Sequence, residues 1–309
     1  MPNHPAYPRV LMLVAAPACW GGGTVVSKQA LDDIAPLTLL PMQLSASTLF
    51  LFAMKHVTRS PTEWSSQLLR LAALGMLNPG MAYALGLLGL VSITASMSVL
   101  LWALEPVLIV LLAALLLRER VPPALALAMA AALVGVLLIV YQAGAAGDTT
   151  GVLLTVAAVG ACALYTVAAR RLLLDDASVT VALVQQATAL VFAVTLFLVV
   201  HVVGNDPGPS GPVSMGAWTA AVVSGILYYG LAFWCYLSAL SRVPATVAGA
   251  FLPLIPVFGV AAGYLIGERL TDRQWIGAAV VVTAVTAVAA LQHRLADESA
   301  PPAATGSTM

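Results

Sequence analysis

The chain has 309 residues, of which 61% are hydrophobic and only 8% charged, with 13 basic side chains against 13 acidic ones. A soluble domain carries about 25% charged residues, so this composition, with a mean hydropathy of +0.98, excludes an ordinary water-soluble fold and identifies an all-α polytopic membrane protein. Balanced charge offers no basic surface for nucleic acid and no charged tail for a partner. Cys19, Cys162 and Cys235 lie far apart inside apolar runs, which reads as buried thiols rather than a metal or disulfide framework.

Cutting the chain at charges, prolines and turn residues gives ten candidate helices of about 20 residues, the length that crosses a hydrocarbon core of ~30 Å. They cover approximately 9–29, 36–54, 68–89, 92–117, 123–142, 151–169, 179–202, 216–240, 243–266 and 273–292. The first has some features of a signal peptide: Arg9 precedes VLMLVAAPAC, with Ala16-Pro17-Ala18 as a cleavage site or Cys19 as a lipidation site. Apolar sequence continues through GGGTVV, however, and marks a retained first helix. GNDPGPSGP (204–212) is expected to be an external, turn-rich loop.

One design occurs twice. WALEPVLIVLLAALLLRERV (102–121) matches FLPLIPVFGVAAGYLIGERL (251–270), each an apolar run with an internal proline and a terminal Glu-Arg. Placing Pro106 over Pro256 brings Glu119 within one residue of Glu268, and ACWGGGTVVSK (18–28) likewise resembles GACALYTVAAR (160–170). The repeat predicts two five-helix domains, 9–142 and 151–292, followed by a disordered cytoplasmic tail over 293–309 that ends in DESAPPAATGSTM.

With the N-terminus inside, the inner connections hold Arg9, Lys55, Arg59, Arg70, Arg118, Arg120, Arg170, Arg171, Arg242 and Arg294, and the outer ones hold Lys28, Arg269 and Arg273. That bias sets the orientation. Five is odd, so the second repeat starts on the opposite side of the membrane and the two are inverted. Inverted repeats let secondary transporters form inward-open and outward-open states from one sequence.

Polar groups inside spans carry the functional expectations, because they are costly in hydrocarbon. Glu105 is the one carboxylate in the middle of a predicted span. Two readings stay open for it: a cavity-facing group that binds a substrate amine or a proton, and a packing group satisfied by a nearby amide or hydroxyl. Pro79, Pro106, Pro253 and Pro256 mark helix breaks or hinges that would expose backbone polarity at mid-membrane depth. Lys28 either faces the cavity mouth or snorkels to the interface. Trp20, Tyr83, Trp102, Tyr165, Tyr228, Tyr229, Trp234 and Tyr236 are candidate pocket walls, with Gln43, Asn78, Gln185 and Gln186 as hydrogen-bonding partners. Gly21-Gly22-Gly23, and Gly259, Gly263 and Gly267 at GxxxG spacing, would let helices approach closely.

The two five-helix halves, Trp20, Gly21 and Lys28 in helix one, the EPV…RER and IPV…GER segments, and ALYTVAARRL at the start of the second half together resemble the EamA family of drug/metabolite transporters over about residues 9–292. The resemblance implies ten transmembrane helices as two inverted repeats and both termini in the cytoplasm of a bacterial inner membrane. It also implies a cavity built mainly from helices 1, 3, 4, 6, 8 and 9, and export of amino acids or related small metabolites. Members similar to aromatic amino-acid, threonine/homoserine, vitamin and nucleotide-linked exporters share this scaffold, so the motifs do not choose a substrate, and another metabolite or drug class is the alternative. Related four-helix exporters carry an essential glutamate in their first helix; this first helix has none, and Glu105, in the fourth, does not inherit that role.

No HExxH, GxSxG or aspartate-rich diphosphate motif occurs, Asp32-Asp33 and Asp175-Asp176 being isolated pairs, so an enzyme is not expected. Neither a cofactor nor a metal is implied, and without GxxxxGK[ST] direct ATP drive is not indicated. A sensor or scaffold is the remote alternative. The expected partners are a small-molecule substrate and the lipid bilayer; coupling to protons and assembly with further copies are left open.

Overall fold

The computed structural model describes residues 6–59, 65–118, 121–140, 149–169, 179–203, 213–240 and 251–299. Glu119, Arg120, Arg170, Arg171, Asp175, Asp176, Arg242, the 204–212 loop and residues 300–309 lie outside them. All regular structure among the described residues is helical, as a lipid-embedded backbone must be to satisfy its own polar groups. In chain order the helices are α1 (Ala6–Ala30), α2 (Pro36–Thr58), α3 (Ser66–Leu90), α4 (Ala95–Trp102, resuming as Glu105–Leu117), α5 (Pro123–Val140), α6 (Thr149–Ala169), α7 (Val179–Val203), α8 (Met215–Ser224, Gly225–Leu231 and Ala232–Leu240), α9 (Leu254–Leu265) and α10 (Asp272–Ser299). Seven of them, α2, α3, α4, α6, α7, α8 and α10, are long and apolar enough to cross a membrane, while α5 and α9 are shorter apolar helices over the described residues.

Hydroxyl caps begin several helices. Ser65, Thr94 and Ser214 each accept the backbone N–H three residues on, at 3.1 Å, from Leu68, Met97 and Ala217. The last helix runs seven residues beyond 292 to Ser299, because LQHRLADES consists mostly of good helix formers.

Two wide turns interrupt the helices: Met76–Met81 within α3, where Asn78 leaves helical geometry at φ −143° and ψ 118°, and a π turn at Gly225–Leu231 within α8. In the first, Pro79 contributes no N–H and Gly80 bonds back to Gly75 at 2.9 Å, five residues earlier. The second turn contains no proline.

The packing repeats itself. Helix α5 packs on α10 and α2 on α7; α3 and α4 pack on α6, α8 and α9 pack on α1, and α4 meets α9. Exchanging helices 1–5 with 6–10 maps this set onto itself. Particular residues obey the same exchange. A Cβ on Gly75 would meet the Gln185 carbonyl at 2.5 Å, and one on Gly225 would meet the Gln43 carbonyl at 2.6 Å; Gly80 faces Phe192, seven residues after Gln185, and Gly230 faces Phe50, seven after Gln43.

In lipid, helices are held by close packing rather than by a hydrophobic drive. Gly21 lies against Gly259 and the Ile255 carbonyl, Gly23 against Tyr228, Gly259 against Val99, and Gly263 against Ser96 and Glu268, which joins α1, α9 and α4. Gly22 and Gly267 touch nothing in this way. Gly267 has φ +98° and ends α9, so its role is a left-handed turn and not the helix contact its spacing suggests.

Candidate functional site

The break in α4 positions the central groups. After Trp102 the chain turns through Ala103 and Leu104, and the helix restarts at Glu105 with Pro106 in its first turn, where a missing N–H leaves no bond unmade. Pro253 caps and Pro256 enters the first turn of α9 in the same manner. These prolines therefore mark helix starts, and Pro79 follows the kink in α3 at the non-helical Asn78, whereas Pro17 and Pro41 lie inside α1 and α2.

Trp102 closes one side of an aromatic cluster. Tyr83 stands 5.7 Å from Trp102, 5.4 Å from Tyr228 and 4.8 Å from Tyr229 between ring centroids, and Tyr228 and Tyr229 are 5.0 Å apart. Thr24, Ser27 and Ser98 add hydroxyls to the same cavity. Its free volume is about 30 Å³. Ligand pockets commonly enclose roughly 300–1,000 Å³, so this cavity is smaller than one that holds a drug-sized molecule. A larger groove of about 550 Å³ between α5 and α10 is lined by Ala, Leu and Val with Thr283 as its one hydroxyl, which suits lipid contact rather than recognition.

Glu105 is half-buried and accepts a hydrogen bond from the Cys162 thiol of α6 at 3.2 Å. Cys162 packs in the same side-chain cluster as Tyr83, Trp102, Tyr228 and Tyr229, so the carboxylate is joined through its thiol partner to the cluster that holds the cavity rings, one side chain behind the lining itself. Among the described residues no basic side chain pairs with it. Trp20, Phe233 and Tyr236 form a second aromatic layer at 5.4 and 5.6 Å from the Trp20 ring.

The remaining expected site residues divide by their bonds. Gln43 is fully buried and its amide nitrogen donates to Ser27 at 2.9 Å and Ser224 at 2.7 Å, tying α2 to α1 and α8. Gln185 donates to the Tyr165 hydroxyl at 2.8 Å and the Leu71 carbonyl at 3.2 Å, tying α7 to α6 and α3. Gln186 donates to the Tyr229 carbonyl at 3.1 Å. Asn78 is buried beside Pro79, its side-chain oxygen without a partner. Trp234 packs with Phe50, Leu51, Val179 and Ala182, apart from the cavity rings.

One end of the bundle is tied shut. The Lys28 ammonium donates to the Leu90 and Val91 carbonyls at 2.7 and 2.9 Å, fastening the end of α1 to the end of α3. Glu268 accepts from the Ala95 and Ser96 backbone N–H groups at 2.8 and 2.9 Å and from the Ser96 hydroxyl at 2.5 Å, a carboxylate set on the positive N-terminus of α4. The Ser214 N–H donates to Asp33 at 3.3 Å at the same end. The sequence reading missed Cys162 as a partner of Glu105 and Glu268 as a helix cap. For Glu268 the recurring Glu-Arg was the available signal; for Cys162 there was none.

Sequence comparison decides the family. The EamA-like transporter family matches the chain twice, over residues 8–141 and 149–290. The chain belongs to that family. This EamA-like protein is also 24% identical over 283 residues, 89% of its own length and 96% of the relative's, to an uncharacterized transporter of Archaeoglobus fulgidus. A solved crystal structure shares its fold with a TM-score of 0.63 at 20% identity, covering 93% of this chain and 98% of the other. The EamA-like chain is thus a multi-pass membrane transporter of small substrates.

Proposed function

We propose that the protein exports an amino acid or similarly small amphipathic metabolite across a bacterial inner membrane by alternating access. In this reading ten crossings form two inverted repeats, 9–142 and 151–292, with both termini cytoplasmic, and the halves rock about the aromatic cavity. The observation that carries it is the exchange symmetry of the packing, centred on a small cavity whose Lys28 and Glu268 end is tied shut. The charge bias of the connections puts that end outside. A helix that restarts at Glu105 and one that begins at Leu254, each with a proline in its first turn, supply paired points of movement.

Glu105, with Tyr83, Trp102 and Tyr228, is the substrate contact in this scheme, Trp20 and Tyr165 extend it inward, and Gln43 and Gln185 hold its walls. The aromatic lining reads ring surface rather than one metabolite, which favours a wider metabolite or drug range as the second reading. The test is uptake of a labelled amino-acid panel, with aromatic and hydroxylated members, into liposomes holding the purified protein, with and without a pH gradient. Saturable uptake of one class is expected. Absence of uptake for every member, with folded protein, removes amino acids as substrates.

A further inference from the structure

The two charges near the cavity differ in their commitments: the Lys28 ammonium is held by the Leu90 and Val91 carbonyls, whereas Glu105 has no cationic partner among the described residues. Glu105 is the one carboxylate in the middle of a described helical span, and its only hydrogen bond among the described residues comes from a neutral thiol. A carboxylate in this setting calls for a cation. The rings beside it are the best apolar surface for one, since an ammonium is attracted to the face of Trp or Tyr within about 6 Å, and three tyrosines and one tryptophan line the cavity.

Nothing comparable awaits an anion. The cavity lining contributes hydroxyls from Thr24, Ser27 and Ser98 and no basic side chain. The Thr24 hydroxyl donates to the Trp20 carbonyl at 3.0 Å, and Lys28, one residue beyond the lining Ser27, directs its ammonium to the Leu90 and Val91 carbonyls. A solute carboxylate would meet Glu105 as a like charge.

We infer that the site reads the ammonium group of its solute and not a carboxylate, so that it accepts monocationic aromatic amines at least as well as zwitterionic amino acids. The inference rests on the transport reading above and narrows its substrate class. It places the ammonium at Glu105 with the solute ring among Tyr83, Trp102 and Tyr228.

Four labelled probes sharing one ring test it: phenethylamine, phenylalaninamide, phenylalanine and 3-phenylpropionate, bound to the detergent-purified full chain by scintillation proximity. The amine and the amide should bind at least as tightly as phenylalanine, and the acid at least ten-fold more weakly than the amine. Glu105→Gln should erase the preference for the amine over the acid, and Glu105→Asp should restore most of it. Phenylalanine binding more than ten-fold tighter than its amide would overturn the inference, because the carboxylate would then be recognised. So would an unchanged preference in Glu105→Gln, or no binding by any probe. Each of these can occur while the amino-acid panel is still transported, so failure here is distinct from failure of the transport reading.

Discussion

Laid over one another, the two halves agree where backbones touch and differ where a solute would be held. Gln43 and Gln185 each present a carbonyl to a glycine of the opposite half, Gly225 and Gly75, and Phe50 and Phe192 cover Gly230 and Gly80. At the cavity and in the side chains behind it, Tyr83 has Phe233 as its counterpart three residues beyond the shared glycine, Cys162 has Trp20, and Glu105, before Pro106, has Ile255, before Pro256. The proposed rocking would require two equivalent scaffolds, and the contacts that set helix spacing are found in both. Recognition requires only one copy of a charge, and two facing carboxylates would repel. The charge is therefore present once, at Glu105 in the first half, while the cavity rings come from both halves, Tyr83 and Trp102 from one and Tyr228 and Tyr229 from the other.

The shared contacts should be the most sensitive to change. Gly75→Ala and Gly225→Ala each drive a Cβ into a backbone carbonyl, and overpacking of this kind costs about 2 kcal/mol. Thermal denaturation in detergent should show both losses within a factor of two of each other; a large loss in only one variant would break the equivalence of the halves. Next comes Glu268→Ala, which strips the cap from Ala95 and Ser96 and should cost about 1–2 kcal/mol in the same assay. Lys28→Met removes two bonds at a partly exposed position, with an expected cost of about 1 kcal/mol. It should also speed reaction of a cysteine placed at Ser98 with a membrane-impermeant thiol reagent added from the tied end, because the clasp over the cavity is gone; an unchanged rate would show that Lys28 is not part of the closure.

The smallest effect is expected at Trp234. Its indole N–H is buried without an acceptor, so Trp234→Phe gives up no hydrogen bond. Stability should change by no more than about 0.5 kcal/mol, and transport should be unaltered. A loss of transport would extend the site to the far face of α8 and weaken the division drawn here between packing rings and cavity rings.

How much of this was legible follows from the solvent. Lipid demands long apolar helices, so the approximate spans, the repeat and the family resemblance could be read from composition, prolines and the recurring Glu-Arg. The same demand hides which face of a helix points inward, since these helices are apolar all round. That is why Tyr228 and Trp234, both in α8, looked equivalent, although one lines the cavity and the other packs outside it. The π turn at Gly225–Leu231 contains no proline and lies where Gly225 meets the α2 backbone, so a tertiary contact accompanies it and local sequence does not announce it. Glu268 caps a helix that begins more than 170 residues earlier, beyond the reach of any spacing rule.

In this account the halves share a scaffold and both supply cavity rings, while only the first carries the recognising charge, Glu105. The most direct measurement is liposome uptake of whichever labelled substrate the panel identifies, compared between Glu105→Gln and its counterpart Ile255→Gln at equal amounts of folded protein. The account predicts at least a ten-fold loss of uptake for Glu105→Gln and no more than about a two-fold change for Ile255→Gln, ten-fold being about 1.4 kcal/mol. Equal losses in the two variants would mean that the halves share recognition, and full uptake by Glu105→Gln would remove the carboxylate from the site.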